Sequence, residues 1–423
     1  MIGKLEKFLL PLANKLSMNR YLSAIRDGFI AIMPLMIVGS FFILINNVFI
    51  GENGLTAKLF NLPLLELTEL GNAIVPATMS VMSVLLTFTT AKALCETYKE
   101  DTTITPIIAV VTLFILMPIS TNADLGIEII NTQYTGAAAI FMAFISAICT
   151  VEIIRKLSTF DKIIIKMPDS VPPSIARSFN KLIPVMLTII IFGIVRYFTD
   201  LAGSPLNDLI FKFIQTPFTN IVSSPVGLVI IYILYMLLWG LGIHSAFIFG
   251  PILEPIYLAT LTANSAALQS GAQMTGIITK PFVDSVAFMG GAGNMFALLI
   301  AILLVSKRSD YKTIAKLGFA PAIFNISEPL MFGLPVVMNP ILIIPMILST
   351  LSGLLIGTIS TVLGFMGYTY VLVPWVTPPV VNSFLSSGGS IGAAITVVII
   401  FVVSVLIYIP FVKIADKQIQ NEQ

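Results

Sequence analysis

Charged residues are scarce in this chain of 423 residues. Only 10% of its side chains are Asp, Glu, Lys or Arg, whereas 57% are hydrophobic. Soluble globular domains carry roughly 25% charged residues, so this composition excludes that class. The uncharged runs 28–51, 71–91, 102–123 and 129–151 each reach the roughly 20 residues that cross a bilayer as a helix. The sequence therefore predicts a polytopic membrane protein.

Cysteine and histidine are also rare, and their positions exclude several kinds of chemistry. The two cysteines, Cys95 and Cys149, lie far apart and show no metal or redox spacing. The single histidine, His244, has no neighbouring cluster of ligand residues. We therefore expect no disulfide, no metal and no other cofactor. The net charge of +2 gives no reason to expect a nucleic-acid partner.

Basic residues follow alternate predicted helices, which orients the chain. Lys and Arg favour cytoplasmic loops, so both termini are expected in the cytoplasm, and the basic amphipathic start, residues 1–26, on the membrane surface. Residues 204–220 are expected to form a surface helix. Helices are predicted near 26–49, 72–95, 104–120, 134–154, 181–199, 225–248, 252–269, 286–306, 341–364 and 391–412.

Two further apolar segments, 318–339 and 370–389, contain several Pro and Gly residues. Such residues interrupt regular helices, and transporters commonly build their substrate sites from interrupted elements near the bilayer midplane. We predict that both segments are re-entrant hairpins. The expected fold is an all-α polytopic membrane protein with about ten transmembrane helices, two re-entrant hairpins and amphipathic surface helices.

Glu328 is the only formally charged residue between Lys316 and Lys413. A carboxylate at membrane depth is disfavoured by roughly 2.5 to 3.5 kcal/mol on insertion scales, so it normally faces a polar cavity, a partner or a substrate. Pro329 and Pro335 prevent a regular helix around it. The simpler alternative is an interfacial Glu that caps a helix or pairs with a lysine.

His244 lies in a segment rich in glycine, Trp239-Gly-Leu-Gly-Ile-His-Ser-Ala-Phe-Ile-Phe-Gly-Pro251. A single buried histidine is more often structural than active, but small residues beside it let a ligand approach the backbone. We predict that His244 and Glu328 are functional. Trp239 and Trp375 are the only tryptophans, and either could be an interfacial anchor, which is the common role of tryptophan in membrane proteins.

Two other stretches contain polar residues with a simpler interpretation. Lys280 and Asp284 could form an internal ion pair between two helices that they separate. The loop Gly290-Gly-Ala-Gly-Asn294 resembles a phosphate-binding loop, but it lacks the lysine and the strand-helix context of one. Close backbone packing or sugar contact is the better prediction for this loop.

Three motifs together resemble one family. They are Arg26-Asp-Gly-Phe-Ile-Ala-Ile-Met-Pro34, Trp239-Gly-Leu-Gly-Ile-His244 with Phe249-Gly-Pro-Ile-Leu-Glu-Pro255, and Asn325-Ile-Ser-Glu-Pro-Leu-Met-Phe-Gly-Leu-Pro335. They are similar to the permease (IIC) component of the bacterial phosphotransferase system, in the branch for lactose, cellobiose and diacetylchitobiose. The resemblance covers nearly the whole chain.

The resemblance implies a homodimer in the bacterial cell membrane. It also implies a disaccharide that is phosphorylated by a cytoplasmic IIB subunit, with a IIA subunit upstream of IIB. It implies an N-terminal half, 1–180 with a fifth helix near 181–199, at the dimer interface. The C-terminal half, 200–423, would hold the sugar. The sugar-binding His and Glu of the family would correspond to His244 and Glu328, and Trp375 would stack on the sugar. Asn294, Trp239 and Asn325 would be further contacts.

Transfer of a phosphoryl group to a sugar hydroxyl needs a group that accepts the proton. Glu328 is the favoured acceptor, with His244 holding a neighbouring hydroxyl, although the reverse assignment is also open. The residues alone fit a second class equally well, a proton-coupled secondary sugar transporter in which Glu328 and His244 relay protons. The identity of the disaccharide depends on geometry that the sequence does not give.

Overall fold

The structure is a computed structural model, and it is almost entirely α-helical. It describes residues 18–50, 64–122, 127–168, 179–334 and 336–420, together with Pro11, Lys15, Thr56, Val171, Pro172 and Ala176. Most of the predicted surface segment at the N-terminus, and Pro335 in the motif around Glu328, lie outside the described residues.

The described residues of the first half form six long or medium helices and one short β-hairpin. Helix α1 (Arg20–Leu44) continues into a π-helical turn at Ile45–Ile50. The following helices are α2 (Leu65–Met79), α3 (Met82–Tyr98), α4 (Ile104–Leu116), α5 (Ile140–Leu157) and α6 (Leu182–Leu201). Strands β1 (Ser120–Asn122) and β2 (Ile127–Ile129) pair antiparallel between α4 and α5.

The second half alternates long helices with short ones. It begins with α7 (Leu206–Ile210), a π-helical turn at Phe211–Gln215, α8 (Thr216–Ser223), α9 (Pro225–Gly240) and α10 (Ala246–Gln269). The chain continues with α11 (Lys280–Val286), α12 (Met295–Val305), α13 (Ser309–Leu317), α14 (Phe319–Ile323) and α15 (Glu328–Gly333). It ends with α16 (Pro340–Val362), α17 (Pro379–Ser386) and α18 (Ile391–Gln420).

Seven helices within the described residues are long and apolar enough to cross a membrane. Two adjoining segments, Leu206–Ser223 and Pro225–Gly240, meet the same criterion together but are bent by 78°. Two shorter apolar helices are α4 and α12. The chain is therefore a multi-pass membrane protein, and the predicted count of about ten crossings stays a prediction.

The helices group into two compact units. The N-terminal unit comprises Ser17–Met36 and Pro76–Thr219, and the C-terminal unit comprises Met1–Leu16, Ile37–Val75 and Asn220–Gln423. Residues 37–75 thus join the C-terminal unit although they come early in the chain. The predicted division of roles near residue 200 stays a prediction, because these units are defined by packing and not by function.

Packing in the N-terminal unit combines apolar contacts with buried hydroxyl groups. Leu113, Met142 and Phe192 belong to one buried cluster. The hydroxyl of Thr112 lies 2.9 Å from that of Ser146, between α4 and α5. Small and hydroxyl-bearing residues of this kind let helices approach closely inside a membrane.

The C-terminal unit is organised around α16 and α18, which pack along each other. Glycine allows one close approach on α16, because a Cβ at Gly353 would overlap the carbonyl oxygen of Val286 in α11. Helix α12 also packs on α18. These contacts hold the short helices against two long ones.

The two predicted hairpin segments are both interrupted, as expected. Segment 318–339 contains only the short helices α14 and α15, with Asn325 between them in a left-handed conformation at φ 62°. Segment 370–389 folds back on itself, because the Tyr370 and Val371 N–H groups donate to the carbonyl oxygen of Ser386 at 2.9 and 3.1 Å.

Two predicted helices are interrupted or cut short by non-helical backbone. The predicted helix 286–306 is instead α11, a loop and α12, and the predicted helix 225–248 ends at Gly240. The reason is local backbone geometry. Gly242 and Gly290 have φ of 79° and 75°, and Asn294 has φ 55°, which an α-helix does not allow.

Candidate functional site

His244 and Glu328 lie side by side in the C-terminal unit. The distance from His244 Nε2 to Glu328 Oε1 is 3.7 Å, and the two side chains are 37% and 44% exposed. This distance is too long for a good hydrogen bond but short enough for an ion pair when the imidazole is protonated. The pair is therefore both polar and accessible to a ligand.

The turn between α9 and α10 positions His244. Helix α9 ends at Gly240, whose carbonyl oxygen accepts a 2.7 Å hydrogen bond from the Met338 N–H. The hydroxyl of Ser245, the next residue after His244, donates to the Tyr235 carbonyl oxygen at 2.5 Å. These bonds attach the turn to α9 and to the chain that follows α15.

Two aromatic rings flank the imidazole. The ring centroids of Trp239 and Phe247 lie 4.4 and 4.3 Å from that of His244, and Phe247 is nearly parallel to it. Trp239 is only 3% exposed, and neither its Nε1 nor His244 Nδ1 has a hydrogen-bond partner in the described part of the chain. Trp239 therefore lies behind the imidazole, and sugar contact by its ring stays a prediction.

Phe247 was not among the predicted site residues. It is the second residue of α10, whereas His244 lies in the turn before that helix. Helical spacing therefore does not predict the contact between the two rings, which depends on the geometry of the turn.

Glu328 is the first residue of α15, and the chain just before it is fixed by Asn325. The Asn325 Oδ1 accepts from the Gly290 N–H at 3.0 Å, and its Nδ2 donates to the carbonyl oxygens of Trp375 and Thr377 at 2.6 and 3.1 Å. Asn325 is buried and uses both side-chain atoms in these bonds. Its geometry indicates a positioning role, and direct sugar contact stays a prediction.

Trp375 is brought to this region through its backbone. Its carbonyl oxygen accepts from Asn325, three residues before Glu328, while its side chain is 45% exposed. The indole is therefore available for contact with a ligand or with lipid. Its role as a sugar platform stays a prediction.

Asn294, in contrast, lies in the interior. Its Oδ1 accepts from the Met289 N–H at 2.8 Å, and its Nδ2 donates to the Ser349 hydroxyl at 3.0 Å. The side chain is fully buried, so contact with a sugar would require these bonds to break. Asn294 fixes the glycine loop, and its predicted sugar contact has no support from this geometry.

The glycine loop, residues 290–294, packs closely against neighbouring segments. A Cβ at Gly291 would overlap the side chain of Ser327, beside Glu328, and the Tyr408 hydroxyl donates to the Gly293 carbonyl oxygen at 2.5 Å. This confirms the predicted close backbone packing. The residues form a support for the segment that carries Glu328.

Lys280 and Asp284 form the predicted ion pair, with Nζ 2.5 and 2.7 Å from the two carboxylate oxygens. The pair lies between two helices as predicted, because α11 comes between α10 and α12. Both residues belong to α11, where they are four positions apart and therefore on the same face.

No group of three or more potential metal ligands occurs among the described His, Cys, Asp and Glu residues. The site thus offers one imidazole, one carboxylate and an exposed indole. Titratable residues on interrupted membrane segments are typical of transporters, because broken backbone lines a cavity there. The fold and the site define a polytopic membrane transport protein.

Comparison with known proteins identifies the family. The family model for the phosphotransferase system, EIIC, matches residues 26–350. The cellobiose-specific EIIC component of Geobacillus stearothermophilus is 33% identical, with 100% of this chain and 96% of that protein aligned. The oligo-beta-mannoside-specific EIIC component of Bacillus subtilis (strain 168) is 32% identical over 99% of this chain and 94% of that protein.

A solved structure agrees with these relatives. The crystal structure of ChbC, the IIC component from the N,N'-diacetylchitobiose-specific phosphotransferase system, is 34% identical, covers 98% of both chains and has a TM-score of 0.89. The chain therefore belongs to the EIIC family of the phosphotransferase system. Members of this family act on a sugar together with IIB and IIA partners. The alternative of a proton-coupled transporter has no support.

Proposed function

We propose that this protein binds a β-linked disaccharide of the cellobiose or diacetylchitobiose type, moves it inward and presents one hydroxyl group for phosphorylation by a separate IIB subunit. The proposal is supported by relatives whose names specify cellobiose and diacetylchitobiose and which align over nearly the whole chain. The same names do not distinguish among these sugars.

One observation carries the site assignment. His244 and Glu328 come from distant parts of the sequence, yet Nε2 and Oε1 lie 3.7 Å apart and both side chains are partly exposed. A charged residue at membrane depth requires compensation, and hydrogen bonds from sugar hydroxyl groups would provide it. Two nearby polar groups can also bind two neighbouring hydroxyls of one sugar.

Glu328 acts as the proton acceptor in this proposal. As the sugar oxygen forms a bond to phosphorus, its proton passes to the Glu328 carboxylate and the bond from phosphorus to the IIB donor breaks. His244 holds a neighbouring hydroxyl and keeps the sugar oriented. Orientation of this kind contributes much of the rate in reactions between two bound partners.

Trp375 provides the apolar surface of the site. One face of a sugar ring consists of C–H groups, and a partly exposed indole is suited to pack against it. Asn325 holds the backbone of Trp375, which supports this placement. All of these residues belong to the C-terminal unit.

The remaining parts of the proposal concern the assembly. The protein acts as a homodimer in the lipid bilayer of a bacterial cell membrane, with both termini in the cytoplasm. Residues 1–180 and the helix near 181–199 provide the dimer contact, and residues 200–423 provide transport. The bias of Lys and Arg toward alternate loops supports the orientation.

The experiment is sugar uptake into membrane vesicles with and without phosphorylated IIB protein. Cellobiose, diacetylchitobiose and lactose are compared with maltose, an α-linked control. We expect at least one β-linked sugar to accumulate as its phosphate only when phosphorylated IIB is present, and maltose to remain unmodified. Accumulation of free sugar without IIB would contradict the proposed function.

A further inference from the structure

Helix α13 packs directly on α15, the helix that begins with Glu328. A Cβ at Gly333 would lie 2.9 Å from Cγ2 of Ile314, and one at Gly318 would lie 2.6 Å from a methyl group of Leu330. Tyr311 and Ala315 are buried and form the inward face of α13. Its opposite face is exposed and lies about one helix diameter, roughly 10 Å, from α15.

Lys316 is exposed and Lys312 half-buried on α13, and three further exposed lysines lie just before this helix and near the end of α18. Asp416 in α18 accepts from the Ser306 hydroxyl at 2.9 Å and from the Lys307 N–H at 2.7 Å, which joins the end of α18 to the start of α13. No ion pair involves these lysines within the described residues. We call the following residues the lysine surface: Lys307, Lys312, Lys316, Lys413 and Lys417.

The acidic groups of this region are already engaged. Arg308 pairs with Asp310, and its guanidinium holds the pKa of that carboxyl below the ordinary value. The Asp416 carboxylate accepts two hydrogen bonds, one of them from a backbone N–H. The Arg308–Asp310 pair is neutral overall, and Asp416 offsets only one of the five lysine charges, so the lysine surface keeps a net positive charge.

We propose that the lysine surface is the docking face for an acidic surface on the phosphorylated IIB subunit. This rests on the proposed function, in which IIB delivers a phosphoryl group to a sugar held by Glu328. A phosphoryl group carries roughly two negative charges, and a positive surface beside its destination attracts and orients the donor. An anionic lipid surface is the alternative occupant. The direct packing of α13 on α15 favours IIB, because lipid attraction does not require this proximity.

The test reverses two charges on α13. We expect Lys312→Glu combined with Lys316→Glu to raise the KM for phosphorylated IIB roughly tenfold at low salt, because electrostatic complementarity mainly affects association. The difference should shrink as salt is added, since salt screens exposed charges. The Kd for sugar and the kcat at saturating IIB should stay unchanged. The probe is the purified IIB protein that supports phosphorylation by the unaltered chain.

Two variants serve as controls. Lys156→Glu with Lys162→Glu makes the same change of charge at exposed positions of the N-terminal unit and should leave the KM unchanged. Lys312→Arg with Lys316→Arg retains the charge and should retain the KM. An unchanged KM in the Lys312 and Lys316 reversal, or an equal rise in the Lys156 and Lys162 control, would overturn the proposal.

Lipid binding gives a different result. If the lysine surface served anionic lipid, activity of the unaltered protein would depend on the fraction of anionic lipid and the reversal would remove this dependence at unchanged KM for IIB. That outcome also overturns the proposal.

Direct binding of IIB to the protein in vesicles separates this proposal from the proposed function. Charge-dependent IIB binding without sugar phosphorylation supports docking here and contradicts only the function.

Discussion

The side-chain amide of Asn325 donates a hydrogen bond to the backbone carbonyl oxygen of Trp375, with 2.6 Å between Nδ2 and O. The two residues belong to the two interrupted segments, 318–339 and 370–389, and Glu328 follows Asn325 by three positions. Because Asn325 also accepts from the Gly290 N–H, one buried side chain connects three non-helical stretches of the chain. The position of Trp375 relative to Glu328 therefore depends on this asparagine.

Asn325→Ala is expected to lower stability and sugar affinity together. The substitution leaves the buried Gly290 N–H without its partner, which costs about 1–3 kcal/mol. It also removes two partly buried bonds to the Trp375 and Thr377 carbonyl oxygens, which can be replaced by water at a smaller cost. Thermal unfolding in detergent and equilibrium sugar binding are the measurements. Asn339→Ala is the matched control, because it removes a single cap bond to the Ile341 N–H and should reduce stability alone. Loss of affinity at full stability would instead indicate direct contact between Asn325 and sugar.

Glu328→Gln and His244→Ala should each abolish sugar phosphorylation while the protein remains folded. Removal of a positioned proton acceptor typically lowers a rate by about 100-fold or more. Phosphorylation by saturating phosphorylated IIB measures the loss, and the elution profile and thermal unfolding establish that the fold is retained. Near-normal phosphorylation in either variant would refute the site assignment.

Trp375→Ala should weaken sugar binding about tenfold, whereas Trp375→Phe should retain part of the affinity. Loss of about 55 Å² of apolar contact at roughly 25 cal/mol per Å² costs about 1.4 kcal/mol, which corresponds to one decade in Kd. Phe198→Ala removes a comparably exposed aromatic from the N-terminal unit and should leave sugar binding unchanged. If Trp375→Ala binds sugar normally but inserts poorly, the indole is a membrane anchor.

Collapse of the proton gradient should leave uptake unchanged in vesicles that contain phosphorylated IIB. The phosphoryl donor, and not ion flow, traps the sugar inside in the proposed mechanism. Uptake of labelled sugar is measured with and without an uncoupler, and a proton-coupled transporter assayed in parallel shows that the uncoupler acts. A large loss of uptake in this protein would argue for proton coupling.

Much of the site was predictable because the chain has so few charges. Glu328 is the only formally charged residue between Lys316 and Lys413, so its charge alone predicted a site in this segment. The interruption of both hairpin segments followed from their prolines and glycines, whose backbone restrictions are local. These predictions needed no knowledge of tertiary contacts.

Other features depend on contacts that no local pattern encodes. Asn294 was predicted to bind sugar, and this stays a prediction. In the structure its Nδ2 donates to the Ser349 hydroxyl and its Oδ1 accepts from the Met289 N–H of the same loop. The break between α11 and α12 requires left-handed backbone at Gly290 and Asn294, which an apolar run of residues conceals. Phe247 stacks on His244 only because the turn before α10 brings the rings together.

Lys280 and Asp284 supply a test of charge burial in α11. Their side chains are 19% and 6% exposed, so removal of one partner leaves a poorly solvated charge. We expect Lys280→Met or Asp284→Leu alone to cost about 3–5 kcal/mol, and the double variant to recover most of that loss. The measurement is a double-mutant cycle on unfolding in detergent. Asp310→Asn is the control, because its exposed pair with Arg308 should contribute at most about 1 kcal/mol. If the double variant is as unstable as the single ones, packing of the two side chains, and not their charge, stabilises the helix.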